Sequence, residues 1–209
     1  MIIKSAEIGM IKTNCYLLTD EQTGDSAVID PASPGRGLNE FIAGIAPEKI
    51  KYIILTHRHF DHVLGVRELK QTTGAQIAIH RLDGDALFDP AVSLSRRTEA
   101  KGQPPLHADI LLEDGMALTL GGHTLEIIHT PGHTAGGVTI RCGDMLFTGD
   151  TLFRGDCGRT DLPTGDYGAI MRSLQKLKAL PGDYKVYPGH GPASTLEWER
   201  RNNTYMHLR

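Results

Sequence analysis

The chain has 209 residues, 40% of them hydrophobic, which fits one globular domain over residues 1–209 or two fused halves sharing one core. A net charge of -3 and a pI near 6.3, with no basic stripe, argue against a general nucleic-acid binder. The apolar runs are too short to span a bilayer, and Met1 to Glu7 lacks a signal peptide's apolar core and small-residue cleavage site, so no membrane association is expected and the cytoplasm is the default location.

The first third reads as strands at Ile2 to Ile8, Asn14 to Thr19 and Ser26 to Asp30, separated by turn-rich breaks. Asp30 closes the third strand, where an acidic residue can either orient a ligand histidine or form an Asx turn. Leu38 to Ile45 has weak helical periodicity. A buried strand at Tyr52 to Leu55 follows, and the spacing of Val66 and Leu69 predicts an amphipathic helix from Val63 to Thr73, stopped by Gly74. After a short strand at Gln76 to Ile79 the chain turns polar from Arg81 to His107, with Pro90, Pro104 and Pro105. This reads as an excursion, either a lid that shapes a substrate pocket or a disordered stretch. Strands return at Ile110 to Leu112, Ala117 to Leu120, Thr124 to His129, Val138 to Arg141 and Met145 to Thr148, with hairpin turns at Gly121-Gly122 and Cys142-Gly143-Asp144. Asp166 to Leu180 reads as a helix, Lys185 to Tyr187 as a strand and Ser194 to Tyr205 as a last helix.

Between the fourth strand and the first amphipathic helix lies Thr56-His57-Arg58-His59-Phe60-Asp61-His62, three histidines and an aspartate in six residues. Residues two apart in an extended segment point the same way, so His57 and His59 can converge on one ion, while Asp61 and His62 lie past the turn and are free to face a second. A carboxylate beside three imidazoles gives the mixed N/O ligation that zinc, iron and manganese accept. A loop of solvated histidines is the bland alternative, and it does not explain their place at a strand's end, where rigid backbone holds ligands still.

Three later turns each carry a ligand-type residue after a strand: Thr130-Pro131-Gly132-His133-Thr134, Thr148-Gly149-Asp150-Thr151 and Tyr187-Pro188-Gly189-His190-Gly191-Pro192. In this order, behind His-x-His-x-Asp-His, they resemble the metallo-beta-lactamase superfamily over essentially the whole chain. The resemblance implies an α/β fold, a four-layer αββα sandwich, with metals in a cleft at the sheet edges. It implies that His57, His59 and His133 hold one metal, that Asp61, His62 and His190 hold the other, and that Asp150 bridges. Beta-lactamases proper typically have Cys where Asp150 stands, and the flavodiiron branch has Glu where His59 stands. The match is closer to the hydroxyacylglutathione hydrolase (glyoxalase II) branch, whose short bacterial members carry the run Gly149-Asp150-Thr151-Leu152-Phe153 through Gly158-Arg159-Thr160-Asp161.

The residues agree with a hydrolase. Structural zinc sites are usually closed and Cys-rich, whereas seven N/O ligands for two divalent ions, zinc first and iron or manganese as substitutes, leave positions open for a metal-bound hydroxide. Asp61 can orient that nucleophile and accept its proton. A thioester suits this equipment, because a thiolate leaves with little protonation. The expected partner is thus a small-molecule thioester such as a hydroxyacyl-glutathione, with Arg159 meeting an anionic part of it or forming a plain surface ion pair. The chain stops one helix after His190, without the helical extension that completes the glutathione site of glyoxalase II proper, so the thiol carrier stays open. A persulfide dioxygenase, an iron-dependent oxidoreductase that shares the same ligand turns, is the alternative; a non-catalytic metal-binding protein is a third reading. Cys157 has no base supplied by any motif and reads as a small loop residue. The three cysteines, Cys15, Cys142 and Cys157, fit reduced thiols better than a disulfide framework.

Overall fold

The computed structural model describes residues 1–84, 87, 93–94 and 106–208. Two six-stranded sheets account for most of them. In the first, β1 (Ile2–Ile8), β2 (Thr13–Thr19) and β3 (Ser26–Ile29) run antiparallel, and β4 (Ile50–Ile54), β5 (Gln76–His80) and β6 (Ile110–Leu112) are added in parallel, in sequential order. In the second, β7 (Ala117–Leu120), β8 (His123–His129), β9 (Val138–Cys142) and β10 (Met145–Gly149) form an antiparallel meander. Here β13 (Lys185–Pro188) joins β10 in parallel, and β14 (Ser194–Thr195) forms the far edge. A separate two-stranded hairpin, β11 (Leu152–Phe153) with β12 (Asp156–Cys157), follows β10.

The strands near the middle of the first sheet are apolar at nearly every position because both of their faces are covered. Alternation then decides which layer each side chain joins. Leu17, Val28, Ile53 and Ile77 face outward, to α1 (Arg36–Ile42) and α3 (Val66–Thr73), whose Leu38, Phe41, Val66 and Leu69 close that layer. Their neighbours Leu18, Ile29, Ile54 and Ala78 face inward, onto Leu125, Ile127, Ile140 and Phe147 of the second sheet. The outer face of the second sheet presents Ile128, Leu146 and Val186 to Leu174 and Leu177 of α5 (Tyr167–Lys178) and to Leu196 of α6 (Leu196–Asn202). The result is the αββα sandwich. Truncating a side chain at its centre such as Phe147, fully buried between the sheets, would cost about 3–5 kcal/mol.

Helix starts follow local chemistry. Asp166 accepts the Ala169 amide at 2.6 Å to cap α5, and Thr195 accepts the Trp198 amide at 3.1 Å to cap α6. The structure differs from the sequence reading in several places; the helix expected from Leu38 to Ile45, for instance, is Arg36–Ile42. The helix expected from Val63 to Thr73 is two pieces, α2 (Phe60–Val63) and α3, broken at Gly65, where a Cβ would lie 2.0 Å from the Pro31 carbonyl oxygen. The last helix spans Leu196–Asn202 and not Ser194 to Tyr205, because Ser194 and Thr195 pair with β13 and Thr204–Met206 form a separate 3-10 turn. The β11–β12 hairpin was not anticipated. Of the excursion from Arg81 to His107, the first four residues form the short helix α4 (Arg81–Gly84), and most of the expected lid lies outside the described residues. Among the described residues no helix is long and apolar enough to cross a membrane.

The connections after β4, β8, β10 and β13 meet at one edge of the sandwich. The Val138 amide donates to the Thr56 carbonyl at 2.9 Å, Asn14 to Gly189 at 2.8 Å and Gly189 to Gly149 at 2.8 Å, so the backbone itself ties the loops of the two sheets together.

Candidate metal centre

The site is assembled from the buried carboxylate of Asp30 outward. Asp30 Oδ1 accepts the Thr56 amide at 2.8 Å and Oδ2 accepts the Thr56 hydroxyl at 2.6 Å, which holds the start of the histidine run against the end of β3. Asp30 Oδ2 also accepts from His62 Nδ1 at 2.8 Å. Of the two roles open to Asp30, orientation of a histidine is the one its side chain performs. With Nδ1 donating to Asp30, His62 keeps the lone pair of Nε2 for the cleft. His133 is set in the same way from the other sheet, its Nδ1 donating to the Arg159 carbonyl at 2.7 Å.

These fixed rings converge with the remaining side chains of the sequence reading. His57, His59 and His133 form one group, Asp61, His62 and His190 a second, and His57, His62 and Asp150 a third, with the candidate donor atoms of each group within 4.8 Å of one another. Asp61 and His62 lie in the first turn of α2, and His59 precedes it in extended conformation. Asp150 stands between the groups: Oδ1 is 3.4 Å from His62 Nε2, and Oδ2 is 3.4 Å from His133 Nε2 and 3.7 Å from His190 Nε2. Asp61 Oδ2 is 3.1 Å from His190 Nε2 and accepts a 3.3 Å hydrogen bond from the Thr13 hydroxyl.

The donor set fits divalent cations. Nitrogens face nitrogens, His59 Nδ1 with His133 Nε2 at 2.8 Å and His62 Nε2 with His190 Nε2 at 3.3 Å. Meanwhile His57 Nε2 and Asp150 Oδ1 are buried without a hydrogen-bond partner. Each buried unsatisfied polar atom costs about 1–3 kcal/mol, and several converging lone pairs are what a cation removes from the cost side. The His/Asp groups are therefore able to hold metal, and the chemistry of imidazole and carboxylate is that of zinc, iron or manganese.

The charges of the site are polarised. Burial, reinforced by His62, His59 and His133, pushes the His57 imidazole well below its ordinary value, and burial followed by His133 lowers His59 to about 3. Both are neutral ligand-type rings. Burial works to lower His62 as well, but Asp150, Asp61 and Asp30 outweigh it and raise that ring. His190 is likewise raised, by its bond to Asp61 and by Asp150, against its burial. The carboxyls of Asp61 and Asp150 respond in the opposite sense: burial acts to raise them, and the surrounding imidazoles hold both below the usual carboxylate range.

A second buried carboxylate, which the sequence reading passed over, braces two of the histidine loops. Asp83 in α4 is fully buried, accepts the Gly136 amide at 2.9 Å and the Thr134 hydroxyl at 2.7 Å, and accepts the Arg58 amide at 3.2 Å. Arg58 itself is buried between His57 and His59, with Nη1 3.7 Å from Asp83 Oδ1 and Nη2 donating to the Thr164 hydroxyl at 2.7 Å. Nothing in the sequence marks Asp83, because it sits in a polar stretch and its partners are distant in the chain.

Arg159 is exposed and makes a bidentate ion pair with Asp161, both contacts at 2.7 Å, while its carbonyl serves His133. The Cys157 thiol is pushed up to about 11, by burial first and by Asp156, the reverse of what activates a nucleophile. Among the described residues none of His80, His107, His123, His129 and His207 joins the metal-type groups; His80 and His129 stack on one another with centroids 4.0 Å apart.

A family model described as the metallo-beta-lactamase superfamily matches residues 8–190. Hydroxyacylglutathione hydrolase GloC of Haemophilus influenzae is 34% identical over 213 residues, covering 99% of this chain and 98% of that protein. Among solved structures, the B3 metallo-beta-lactamase BLEG-1 is similar with a TM-score of 0.86 at 33% identity, over 99% of this chain and 100% of the other. TTHA1623, solved in a di-iron-bound form, is similar with a TM-score of 0.82 at 35% identity, over 97% and 99%. The chain belongs to the metallo-beta-lactamase superfamily.

Proposed function

We propose that the protein is a binuclear metal-dependent hydrolase of thioesters, of the kind a hydroxyacyl-glutathione represents. The observation that carries the reading is the convergence of seven imidazole and carboxylate side chains, with no thiolate among them, into overlapping groups whose donor atoms lie within 4.8 Å. His57, His59 and His133 would hold one ion, Asp61, His62 and His190 the other, and Asp150 would bridge. The chemistry that bound divalent ions supply at such a site is Lewis acidity toward a carbonyl oxygen and toward water. Zinc is the first expectation, with iron or manganese as substitutes, and the di-iron form of TTHA1623 supports keeping iron among them.

The chain's own residues perform the rest. Asp61, held ionised by His62 and His190, orients the attacking hydroxide and accepts its proton after attack. Asp30 and the Arg159 carbonyl keep His62 and His133 in single tautomers, so the cleft does not have to reorganise as the carbonyl becomes tetrahedral. The departing sulfur leaves as a thiolate, which needs little protonation. Arg159, on the His133 side, would exchange its exposed ion pair with Asp161 for an anionic group of the thiol carrier. The name of GloC supports the hydroxyacyl-glutathione class as the first substrates to try.

The test is metal analysis of protein purified without added metal, run beside assays of thioester hydrolysis, β-lactam hydrolysis and persulfide-dependent oxygen uptake. Two ions and thioester hydrolysis are expected. One iron with persulfide-dependent oxygen consumption would replace this reading by the dioxygenase, and lactam turnover without thioester turnover would replace it by the activity that BLEG-1 is named for.

A further inference from the structure

A cavity of ≈ 200 Å³ opens beneath the turn that joins β1 to β2. Ile8, Met10 and Ile11 wall it from the turn, Phe60 and Leu64 wall it from α2 and the residue after it, and Asp61 connects it to the candidate centre. Met10 is fully exposed and Ile11 half exposed, so two adjacent apolar side chains stand at the rim of an apolar cavity with nothing from the described residues covering them. Thr13 and Ser33 contribute the hydroxyls, and among the described lining residues there is no lysine, arginine or histidine.

Chemistry decides what such a cavity takes. An anionic group entering it would lose its water in exchange for two hydroxyls, with no lysine, arginine or histidine among the described lining residues to pair with it, an unfavourable trade. A neutral aliphatic group would instead cover Met10, Ile11 and Phe60 and remove their surface from water. Position decides which end of the substrate this is. Asp61 belongs with His62 and His190, whereas Arg159, whose carbonyl holds His133, lies on the side of the other histidine group. A thioester lying across the centre with its charged thiol carrier toward Arg159 therefore directs its acyl chain toward the cavity.

We propose that this cavity is an acyl-chain subsite, and that the protein takes thioesters of neutral, unbranched acyl groups of about six carbons in preference to short acyl groups. The proposal rests on the thioester reading above. The length follows from volume: an aliphatic cavity of about 150 Å³ binds benzene, so this one holds a group of comparable size with room at the mouth. Each methylene buried should tighten binding about fourfold.

The experiment uses the metal-loaded protein and glutathione thioesters from acetyl to octanoyl. Alongside them run the matched ketones in which a methylene replaces the sulfur, whose dissociation constants are read by calorimetry without any turnover. KM and the ketone dissociation constant should both fall about fourfold per methylene up to hexanoyl and then level. Met10→Ser with Ile11→Ser, both at exposed positions, should reduce the increment to less than about twofold, and Ser33→Phe, which fills the cavity, should remove it. Hydrolysis with a chain-length series that is flat, or that none of the variants changes, would overturn the subsite and leave the thioesterase reading standing. If no thioester is hydrolysed, the ketones decide: an increment that the variants abolish upholds the subsite while the thioesterase reading falls, and a flat series overturns both.

Discussion

Asp83 Oδ1 accepts the Gly136 amide at 2.9 Å, a contact so close that a Cβ on Gly136 would lie 2.5 Å from Asp83 Cγ. Through this contact and the Arg58 amide, one carboxylate from the first half of the chain holds both the His57–His59 segment and the His133 loop. Asp83→Ala should lower metal affinity by about 10–100-fold, the usual penalty for losing a partner that orients ligands. It should also destabilise the fold by about 3–5 kcal/mol, since Arg58 would be left buried and unpaired. The double variant Asp83→Ala with Arg58→Met separates the two effects: stability should return while metal affinity stays low. Recovery of both, measured by denaturation and by competition with a chelator, would make Asp83 a fold residue only.

Asp150 follows directly. Because its two oxygens reach toward His62 on one side and His133 on the other, Asp150→Ala should reduce bound metal and abolish turnover while leaving the sandwich intact. The fold should survive because Asp150 packs at the sheet edge and takes no part in the three apolar layers. A variant that kept both ions and near-native activity would refute the bridging role.

Much of this arrangement was readable in advance, for physical reasons that differ from residue to residue. Ile53 and Ile54 announce a strand buried on both faces because each serves a different apolar layer. The turns after β4, β8, β10 and β13 were readable as candidates for one cluster because they combine imidazole and carboxylate side chains with positions directly after strands. What escaped the sequence depends on contacts between distant residues. Asp83 acquires meaning only when β5 brings α4 beside the His133 loop. At the break before α3 a glycine is required, because the Pro31 carbonyl oxygen leaves no room for a Cβ at residue 65, a contact between segments distant in the chain. The β11–β12 hairpin was hidden for a similar reason: its strands are two residues each, too short to show alternation, and α6 supports it through Glu199, which accepts the Gly155 amide at 2.9 Å.

The metal-free protein should show a stability maximum near pH 6.5. His57 and His59 are depressed, His59 to about 3, so between about 6.5 and that value the unfolded chain binds more protons and stability is lost as the pH falls. His62 and His190 are raised, so their contribution is complete below about 6.5 and is lost as the pH rises through their folded values. Loading with metal should remove the alkaline loss, because metal requires the deprotonated rings. Thermal unfolding of chelator-treated and metal-loaded protein from pH 5 to 9 checks this. An apo curve that keeps rising above pH 7.5 would mean that His62 and His190 are neutral without metal.

The pH dependence of turnover separates the leaving groups. Attack requires a deprotonated water, and Asp61, already ionised at all working pH values, cannot set the rising limb; that limb should therefore fall near pH 7, the general behaviour of water at catalytic zinc. A thiolate needs no general acid, so kcat for a thioester should rise to a plateau with no falling limb until well above neutrality. A matched oxygen ester, whose alkoxide leaves poorly without a proton, should be slower at every pH. Part of the loss on the acid side should be metal loss, as His62 and His190, which the neighbouring carboxylates hold toward the protonated form, take up protons, and excess metal should recover some activity there. The measurement is kcat against pH at saturating metal for both esters. A bell centred near neutral pH for the thioester would demand a general acid in the cleft and would count against this mechanism.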